Sequence, residues 1–360
     1  LFERDGIYRG SITLASGVTY GAYGSGQKPR IYGSLRNYAE AELWTASETE
    51  HVWELAVGDM SDVGNIVFDH GVECGVKQMD GELDKDFHFY HDAENGMLYL
   101  YLSTGNPGEV YEDIEVCSCE NVLNGERGLH DVFLENLCIR YGGAHGIGLR
   151  DGTENVTVQG CEIGYVGGSI LAGYSELVRY GNGFEVVDNC KNITVKDNWV
   201  YQCYDAGLTH QSSANNGVMQ ENITFSNNLV EYCIYNIEYY VNQEEGQIKN
   251  TVYENNILRF AGYGFGSVNR IGSDNSMIAN ICCYVRTMPS SDFVIRGNVL
   301  DSPMRYQTTI GSPNEEGLGP VIEGNTYIQR GSEVAIVTVE RTGTRLRETL
   351  RATDQASLEE

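Results

Sequence analysis

The sequence predicts an all-β fold: a solenoid of short parallel strands stacked coil upon coil, with a small antiparallel β insertion and a short helical cap. Two observations predict it. A strand-like run that ends in Asn recurs through the second half of the chain. Glycine and asparagine are also abundant, with 43 and 28 of 360 residues, while proline is scarce, with 6. This composition is typical of many tight turns between short strands.

The first elements along the chain are an opening coil and an insertion. Residues 12–31 read as one coil of strands and turns, and residues 39–115 then break the repeat. Runs that begin at Val52, Asn65 and Met97 read as antiparallel strands, the last one after an Asn-Gly turn. We therefore predict an inserted antiparallel β subdomain over 39–115, with a lid as the alternative, within a single domain of 1–360.

The repeat itself places Asn in one recurring slot. Ile193-Thr-Val-Lys-Asp-Asn198 is followed by two close copies that end at Asn228 and Asn256, and by weaker ones. The weaker copies end at Asn280, Asn298 and Asn325. Such a unit cannot bury its apolar face alone, but stacked copies can. Each Asn side chain is then expected to bond to the Asn in the coils above and below it.

A second strand follows each Asn slot, and the chain closes with a cap. The second strands begin at or near Gly146, Gly183, Gly207, Asn236 and Gly264. Over 341–360, Leu346 and Leu350 are at helical spacing, which predicts a helix that covers the strand edges of the last coil.

With this repeat, the chain resembles the right-handed parallel β-helix superfamily of pectate-lyase-like, carbohydrate-active proteins over roughly residues 120–340. The resemblance implies a glycan as substrate or ligand. The chain has no Asp-Asp pair and no Arg-His-Gly, as polygalacturonase-type hydrolases have, and Arg286-Thr-Met-Pro289 lacks the pectate-lyase spacing. The resemblance is therefore nearer to the glycoside hydrolases of the superfamily than to its pectin-specific members.

The net charge and the cysteine content limit which ligands, cofactors and cellular locations we expect for this protein. A formal net charge of −27 disfavours nucleic acid, anionic membranes and polyanionic glycans unless a cation intervenes. Ca²⁺ is the cofactor to consider for so carboxylate-rich a chain, although no EF-hand or nonapeptide calcium repeat is present. Most of the ten cysteines lie in strand-like runs and no signal peptide opens the sequence, which favours a cytoplasmic location or secretion by an anaerobe.

The candidate site is a polar cluster over residues 141–242. By the two-residue periodicity of strands, Ile147, Phe184, Leu208, Ile237 and Phe265 point inward, and the residues after them point outward. Glu185 and Glu238 then lie two coils apart on one surface, with Asp205 at the edge of the coil between them. These three are the predicted catalytic acid–base residues. Solvated surface glutamates and a turn-capping Asp205 are the alternative.

Seven residues of the same cluster are predicted to bind substrate through hydrogen bonds or ring stacking: His145, Arg179, Asn182, Tyr204, His210, Gln211 and Tyr240. Simpler roles stay open, because the register points His210 inward and Arg179 could neutralise Glu185. The paired carboxylates favour a glycoside hydrolase. A polysaccharide lyase and a non-catalytic glycan-binding or adhesion solenoid are the alternatives.

Overall fold

The prediction of stacked parallel coils is confirmed in a computed structural model, which describes most of the chain. The described residues are 1–174, 178–212, 217–241, 246–268, 270, 277–285, 290–311, 320–328, 337–340 and 347–350. Each full coil contributes one strand to each of three long sheets, so the chain is an all-β parallel β-helix.

The three sheets run side by side along the coils. The strands of sheet 1, in spatial order, are Ile12–Leu14, Leu123–Gly125, Ile147–Leu149, Phe184–Val187, Ala206–Ser212, Tyr235–Val241, Ala279–Val285, Tyr306–Gly311, Val337–Glu340 and Arg347–Leu350. Those of sheet 2 are Thr19–Tyr20, His130–Glu135, Thr153–Gln159, Cys190–Lys196, Val218–Ser226, Gly246–Glu254, Ser290–Arg296 and Val321–Glu323. Those of sheet 3 are Ile7–Arg9, Arg30–Tyr32, Cys138–Arg140, Glu162–Val166, Trp199–Cys203, Leu229–Glu231, Ile257–Arg259, Val299–Asp301 and Thr326–Ile328.

Apolar side chains from all three sheets fill the interior of the coils. Along each sheet, alternate residues point inward and are fully buried, as at Phe184 in sheet 1, Ile193 in sheet 2 and Val200 in sheet 3. All ten cysteines are free and eight of them are buried, so they act as small apolar side chains rather than as cross-links.

A ladder of buried asparagines joins sheet 2 to sheet 3, as the repeat predicts. The side-chain amide of Asn198 donates to Asn228, that of Asn228 to Asn256, that of Asn256 to Asn298 and that of Asn298 to Asn325, each at 2.9–3.0 Å. The residue before each of them is Asp, Asn or Gly with φ between 55° and 63°, a left-handed turn that these residue types tolerate. This requirement explains which residue types stand directly before each buried Asn.

Asn280 is not part of this ladder, and the prediction that placed it there is wrong. Asn280 lies in sheet 1, where it accepts a 2.7 Å hydrogen bond from the Asn236 amide. The ladder instead steps 42 residues, from Asn256 to Asn298. A further asparagine ladder that the sequence analysis missed runs along the surface of sheet 2, through Asn155, Asn192, Asn222 and Asn250.

The segment that breaks the repeat forms two mainly antiparallel sheets beside the early coils, with one parallel pair, Val76–Lys77 with His88–Asp92. The larger sheet contains Trp44–Ala46, Val52–Ala56, Val76–Lys77, His88–Asp92 and Met97–Tyr101. The smaller one contains Val63–Phe68, Glu73–Cys74 and Ile114–Ser118. The insertion has its own apolar core and is attached to the first coil by a bidentate pair between Arg9 and Glu115, at 2.7 and 2.8 Å.

The remaining elements are short. Two strand pairs, Phe2–Glu3 with Ala22–Tyr23 and Ser169–Ile170 with Arg179–Tyr180, extend the coils locally. The described helices are the α-helices Pro107–Val110 and Phe265–Val268 and the 3₁₀ turns Ala41–Leu43 and Asp69–Gly71. None of these described helices is long and apolar enough to cross a membrane.

The C-terminal cap differs from the prediction of a helix over 341–360. The described part of that range, Arg347–Leu350, is a strand that pairs antiparallel with Val337–Glu340. A strand can cover the edge of the last coil because it supplies backbone hydrogen-bond partners directly. Residues 341–346 and 351–360 lie outside the described residues.

Candidate functional site

An outward-facing column of residues crosses sheet 1 in the order that the sequence predicts. Gly148 pairs with Glu185, Glu185 with Thr209, and Thr209 with Glu238. The residues that precede these four along the chain are fully buried inside the coil. Glu185 and Glu238 therefore lie two coils apart on one face, separated by a single strand.

The fifth strand predicted for this column is wrong, because Phe265–Val268 form an α-helix. The column continues instead with Cys282, which pairs with Glu238. Gly266 packs on the preceding coil, where an added Cβ would lie 2.4 Å from the carbonyl oxygen of Tyr204. This glycine allows close packing of the helix on the preceding coil.

Glu185 is in contact with polar groups at both carboxyl oxygens. The Asn182 amide donates to Oε2 at 2.6 Å, and Nε2 of His145 lies 3.3 Å from Oε1. Nδ1 of His145 accepts the backbone N–H of Asn182 at 3.0 Å, which fixes the ring with Nε2 on the side of Glu185. Asn182 and His145 therefore position Glu185.

Glu238 lies in a different environment two strands away. It is 8% exposed, and its Oε2 accepts from the Gln211 amide at 2.7 Å and from the Thr209 hydroxyl at 3.3 Å. Burial, together with the negative charges of Asp205 and Glu185, raises the pKa of Glu238 to about 8 against the opposing charge of Arg270. Glu238 therefore carries a proton at neutral pH.

Asp205, the third predicted carboxylate, forms an ion pair with Arg270. Both side chains are largely buried, with 21% and 14% of their surfaces exposed. The Arg270 guanidinium also lies 5.1 Å from the centroid of the Tyr204 ring. Asp205 thus supplies a fixed negative charge beside Glu238, neutralised in part by one arginine.

Two predicted substrate-binding residues, Arg179 and Tyr204, are buried and serve the packing instead. Arg179 donates from Nε to the Gly168 carbonyl at 2.5 Å and from Nη2 to the Gly64 carbonyl at 3.2 Å, which ties the insertion to the coils. Tyr204 is 2% exposed, with Arg179 and Arg270 each within about 5 Å of its ring. Neither ring stacking on a sugar nor neutralisation of Glu185 fits these positions.

His210 is also not a surface residue, and its predicted substrate contact is wrong. It points into the coil, is fully buried, and has both ring nitrogens bonded, to Gln220 at 2.7 Å and to the Tyr253 hydroxyl. Burial lowers the pKa of His210 to about 4, so the ring is neutral. Its role is to complete a polar network inside the coil.

Gln211 and Tyr240 are adjacent outward residues of sheet 1. They pair across neighbouring strands, and both are half-buried. Because the Gln211 amide donates to Glu238, it positions that carboxyl. Tyr240 remains a predicted substrate contact.

The end of the insertion reaches the edge of the site. Sγ of Cys119, just beyond the last insertion strand, lies 3.5 Å from the Tyr180 hydroxyl. The Tyr180 ring in turn contacts the His145 ring edge-on, with centroids 5.1 Å apart. The insertion therefore helps to place His145, and through it Glu185.

Sequence reasoning missed Arg270, Thr209 and Tyr180. Thr209 could have been found, since its position between the two glutamates follows from the predicted register. Arg270 lies 65 residues after Asp205 and carries no motif, so only the fold brings the two together. Within the described ranges, no group of three or more His, Cys, Asp or Glu side chains is placed to hold a metal ion.

Comparisons with known proteins give distant structural likenesses. No protein-family model matches the chain, and no curated protein matches it. Among solved structures, XylC in complex with xylose is 10% identical, with a TM-score of 0.46, and covers 90% of this chain. A GH136 lacto-N-biosidase from Eubacterium ramulus is 14% identical, with a TM-score of 0.34, and covers 93% of this chain.

A third structure, described as a glycoside hydrolase, is 9% identical, with a TM-score of 0.34, and covers 92% of this chain and 89% of its own. The chain spans only 62% of the length of XylC and of the lacto-N-biosidase. Likenesses at these identities and TM-scores carry no argument about reaction or substrate.

Proposed function

We propose that this protein is a carbohydrate-active enzyme, a glycoside hydrolase that cleaves a glycosidic bond with inversion at the anomeric carbon. One observation carries the proposal. Glu238 and Glu185 share an outward column of sheet 1, and their environments differ: Glu238 is protonated at neutral pH, whereas Glu185 accepts a hydrogen bond from Asn182 and lies beside His145. Paired carboxyls in opposite roles are what acid–base hydrolysis of a glycoside requires.

The separation of the two residues supports inversion rather than retention. Their strands are two steps of about 4.8 Å apart, which places the two backbones about 9.6 Å from each other. Inverting enzymes keep their carboxyl groups roughly 6.5–9.5 Å apart to leave room for water, whereas retaining enzymes keep them about 5–5.5 Å apart. Thr209, on the strand between them, is fully buried and donates its hydroxyl to Glu238.

In the proposed reaction, Glu238 donates its proton to the glycosidic oxygen as the bond to the anomeric carbon breaks. Glu185 takes a proton from a water molecule, whose oxygen attacks the anomeric carbon from the opposite face of the ring. The products are an alcohol and a hemiacetal of inverted configuration. Proton exchange with solvent then restores Glu238 and Glu185.

Charge around the site supports a neutral glycan as the substrate. Two arginines of the site are engaged within the fold, because Arg270 is paired with Asp205 and Arg179 donates to backbone carbonyls. A lyase must neutralise a uronate carboxylate, and these arginines are engaged elsewhere. The net charge of −27 further opposes an anionic polymer.

The test is turnover of a broad panel of neutral and uronate glycans by the parent protein and by Glu238→Gln and Glu185→Gln. We expect release of reducing sugar from a neutral member, and a loss of about 10²–10⁴ in kcat in each variant. Glu154→Gln, on the exposed face of sheet 2, is the matched control and should keep parental turnover. Unsaturated uronate products would identify a lyase instead. Near-parental turnover in both site variants would refute the assignment.

A further inference from the structure

Sheet 3 carries a layered aromatic stack on its outer face, remote from the column of sheet 1. The Tyr201 ring lies over Gly164 of the preceding coil, where an added Cβ would be 2.6 Å from the ring carbon Cζ. The Trp199 indole lies on this ring, with centroids 4.3 Å apart and planes 23° apart. Tyr201 is 6% exposed and Trp199 is 40% exposed, so the indole is the outermost layer.

Hydrogen bonds and ion pairs fix both rings in this arrangement. The indole N–H of Trp199 donates to Glu231 at 2.9 Å, and the Tyr201 hydroxyl donates to Glu162 at 2.8 Å. Glu231 is in turn paired with Arg259, and Glu162 with Arg140. An exposed indole that is stacked and bonded in one orientation loses little conformational freedom when a ligand covers it.

The exposed indole face matches a small ligand unit in size. An exposed fraction of 40% on a tryptophan leaves about 100 Å² of surface. The carboxylates and arginines that border the indole also keep polar groups at its rim, as in sites that bind amphipathic ligands.

We propose that Trp199, backed by the buried Tyr201 ring and bordered by Glu162, forms a saccharide-binding platform remote from the column of sheet 1, specific for a neutral glycan. A pyranose ring has an apolar C–H face of the size of one indole and a rim of hydroxyls. The face covers Trp199, and a hydroxyl donates to Glu162, whose side chain is 17% exposed. The net charge of −27 disfavours polyanions at this surface. This inference does not depend on the proposed hydrolysis.

The test is ligand binding by the full chain, measured by calorimetry and tryptophan fluorescence with cellohexaose, xylohexaose and mannohexaose as neutral probes and hexagalacturonate as the anionic probe. Glu238→Gln serves as the background, so that no probe is consumed. We expect a neutral probe to change the fluorescence and Trp199→Ala to weaken or remove that binding event by at least tenfold. Trp199→Phe, which keeps a ring, should retain part of the affinity.

Ile257→Ala is the matched control, since Ile257 is 46% exposed on the same face of sheet 3, two strands away. It should bind as the parent does. The proposal is overturned if no neutral probe binds, or if Trp199→Ala binds with parental affinity and stoichiometry. It is also overturned if sedimentation shows that Trp199→Ala dissociates an oligomer, since the surface would then be a self-interface. Binding without any glycan hydrolysis would keep this platform and refute the proposed function.

Discussion

Replacing Glu238 by Gln tests the environment of the proposed acid without any substrate. The structure holds the pKa of Glu238 at about 8, against an ordinary value of 4.5, mainly because the carboxyl is buried and secondly because Asp205 is negative. Between these two pH values the unfolded chain releases the proton and the folded protein keeps it. The stability that Glu238 contributes is therefore fully present below pH 4.5 and is lost as the pH rises towards 8.

The size of this change in the free energy of unfolding follows from the linkage between proton binding and folding. Each pH unit between 4.5 and 8 corresponds to about 1.4 kcal/mol, so the full interval corresponds to about 5 kcal/mol as an upper value. Glutamine is nearly isosteric with the protonated acid and does not titrate. Relative to Glu238→Gln, the parent protein should therefore become progressively less stable from pH 4.5 to 8, and the difference should be constant above pH 8.

Urea unfolding of both proteins across this pH range measures the difference in the free energy of unfolding. Glu154→Gln, on the exposed face of sheet 2, is the control and should follow the parent at every pH. Parallel curves for the parent and Glu238→Gln would show that Glu238 is ionised in the folded protein. That result would refute its role as the acid.

Three further predictions concern the site and the coils. Asp205→Asn removes a negative charge beside the proposed acid and leaves Arg270 unpaired, and both changes lower the pKa of Glu238. The alkaline limb of kcat/KM against pH should therefore move to lower pH by about one unit. An unmoved limb would contradict this coupling. Asn228→Ala breaks the buried ladder and should cost about 3 kcal/mol in urea unfolding. Thr224→Ala, on the outer face of the preceding strand Val218–Ser226, should cost under about 1 kcal/mol. Gly164→Ala should cost about 1–3 kcal/mol by thermal or urea unfolding, since its methyl group would overlap the aromatic stack, and parental stability would show that the ring is not held there.

The regular part of the fold could be predicted because its determinants are local and repeated. A buried Asn must find partners for its amide, and the same residue in the next coil supplies them, so Asn198, Asn228 and Asn256 identify the ladder. The two-residue period then assigns Glu185 and Glu238 to the outer face, as the register of sheet 1 confirms.

The irregular part could not be predicted because long-range packing decides it. The step from Asn256 to Asn298 is 42 residues, longer than its neighbours, and Asn280 matched the slot only by composition. Gly-Phe-Gly-Ser at 264–267 resembles a strand, but Gly266 packs against the Tyr204 backbone and the segment turns into a helix.

The candidate site also has features that could be predicted from the sequence and features that could not. The positions of the two glutamates follow from the repeat, but their protonation depends on neighbours from other coils. Arg270 meets Asp205 across 65 residues, and Arg179 meets the Gly64 carbonyl across 115. No local sequence pattern indicates that Arg179 is buried against the insertion, so the sequence analysis predicts it as a substrate-binding residue.

The most direct test of the central claim is the anomeric configuration of the first product. Proton NMR during hydrolysis of the glycan that the parent protein cleaves distinguishes the two anomers before they equilibrate. With Glu238 as acid and Glu185 as base two strands apart, the hemiacetal should first appear with the configuration opposite to that of the cleaved bond. Retention of configuration, or an unsaturated uronate in place of a hemiacetal, would contradict the account.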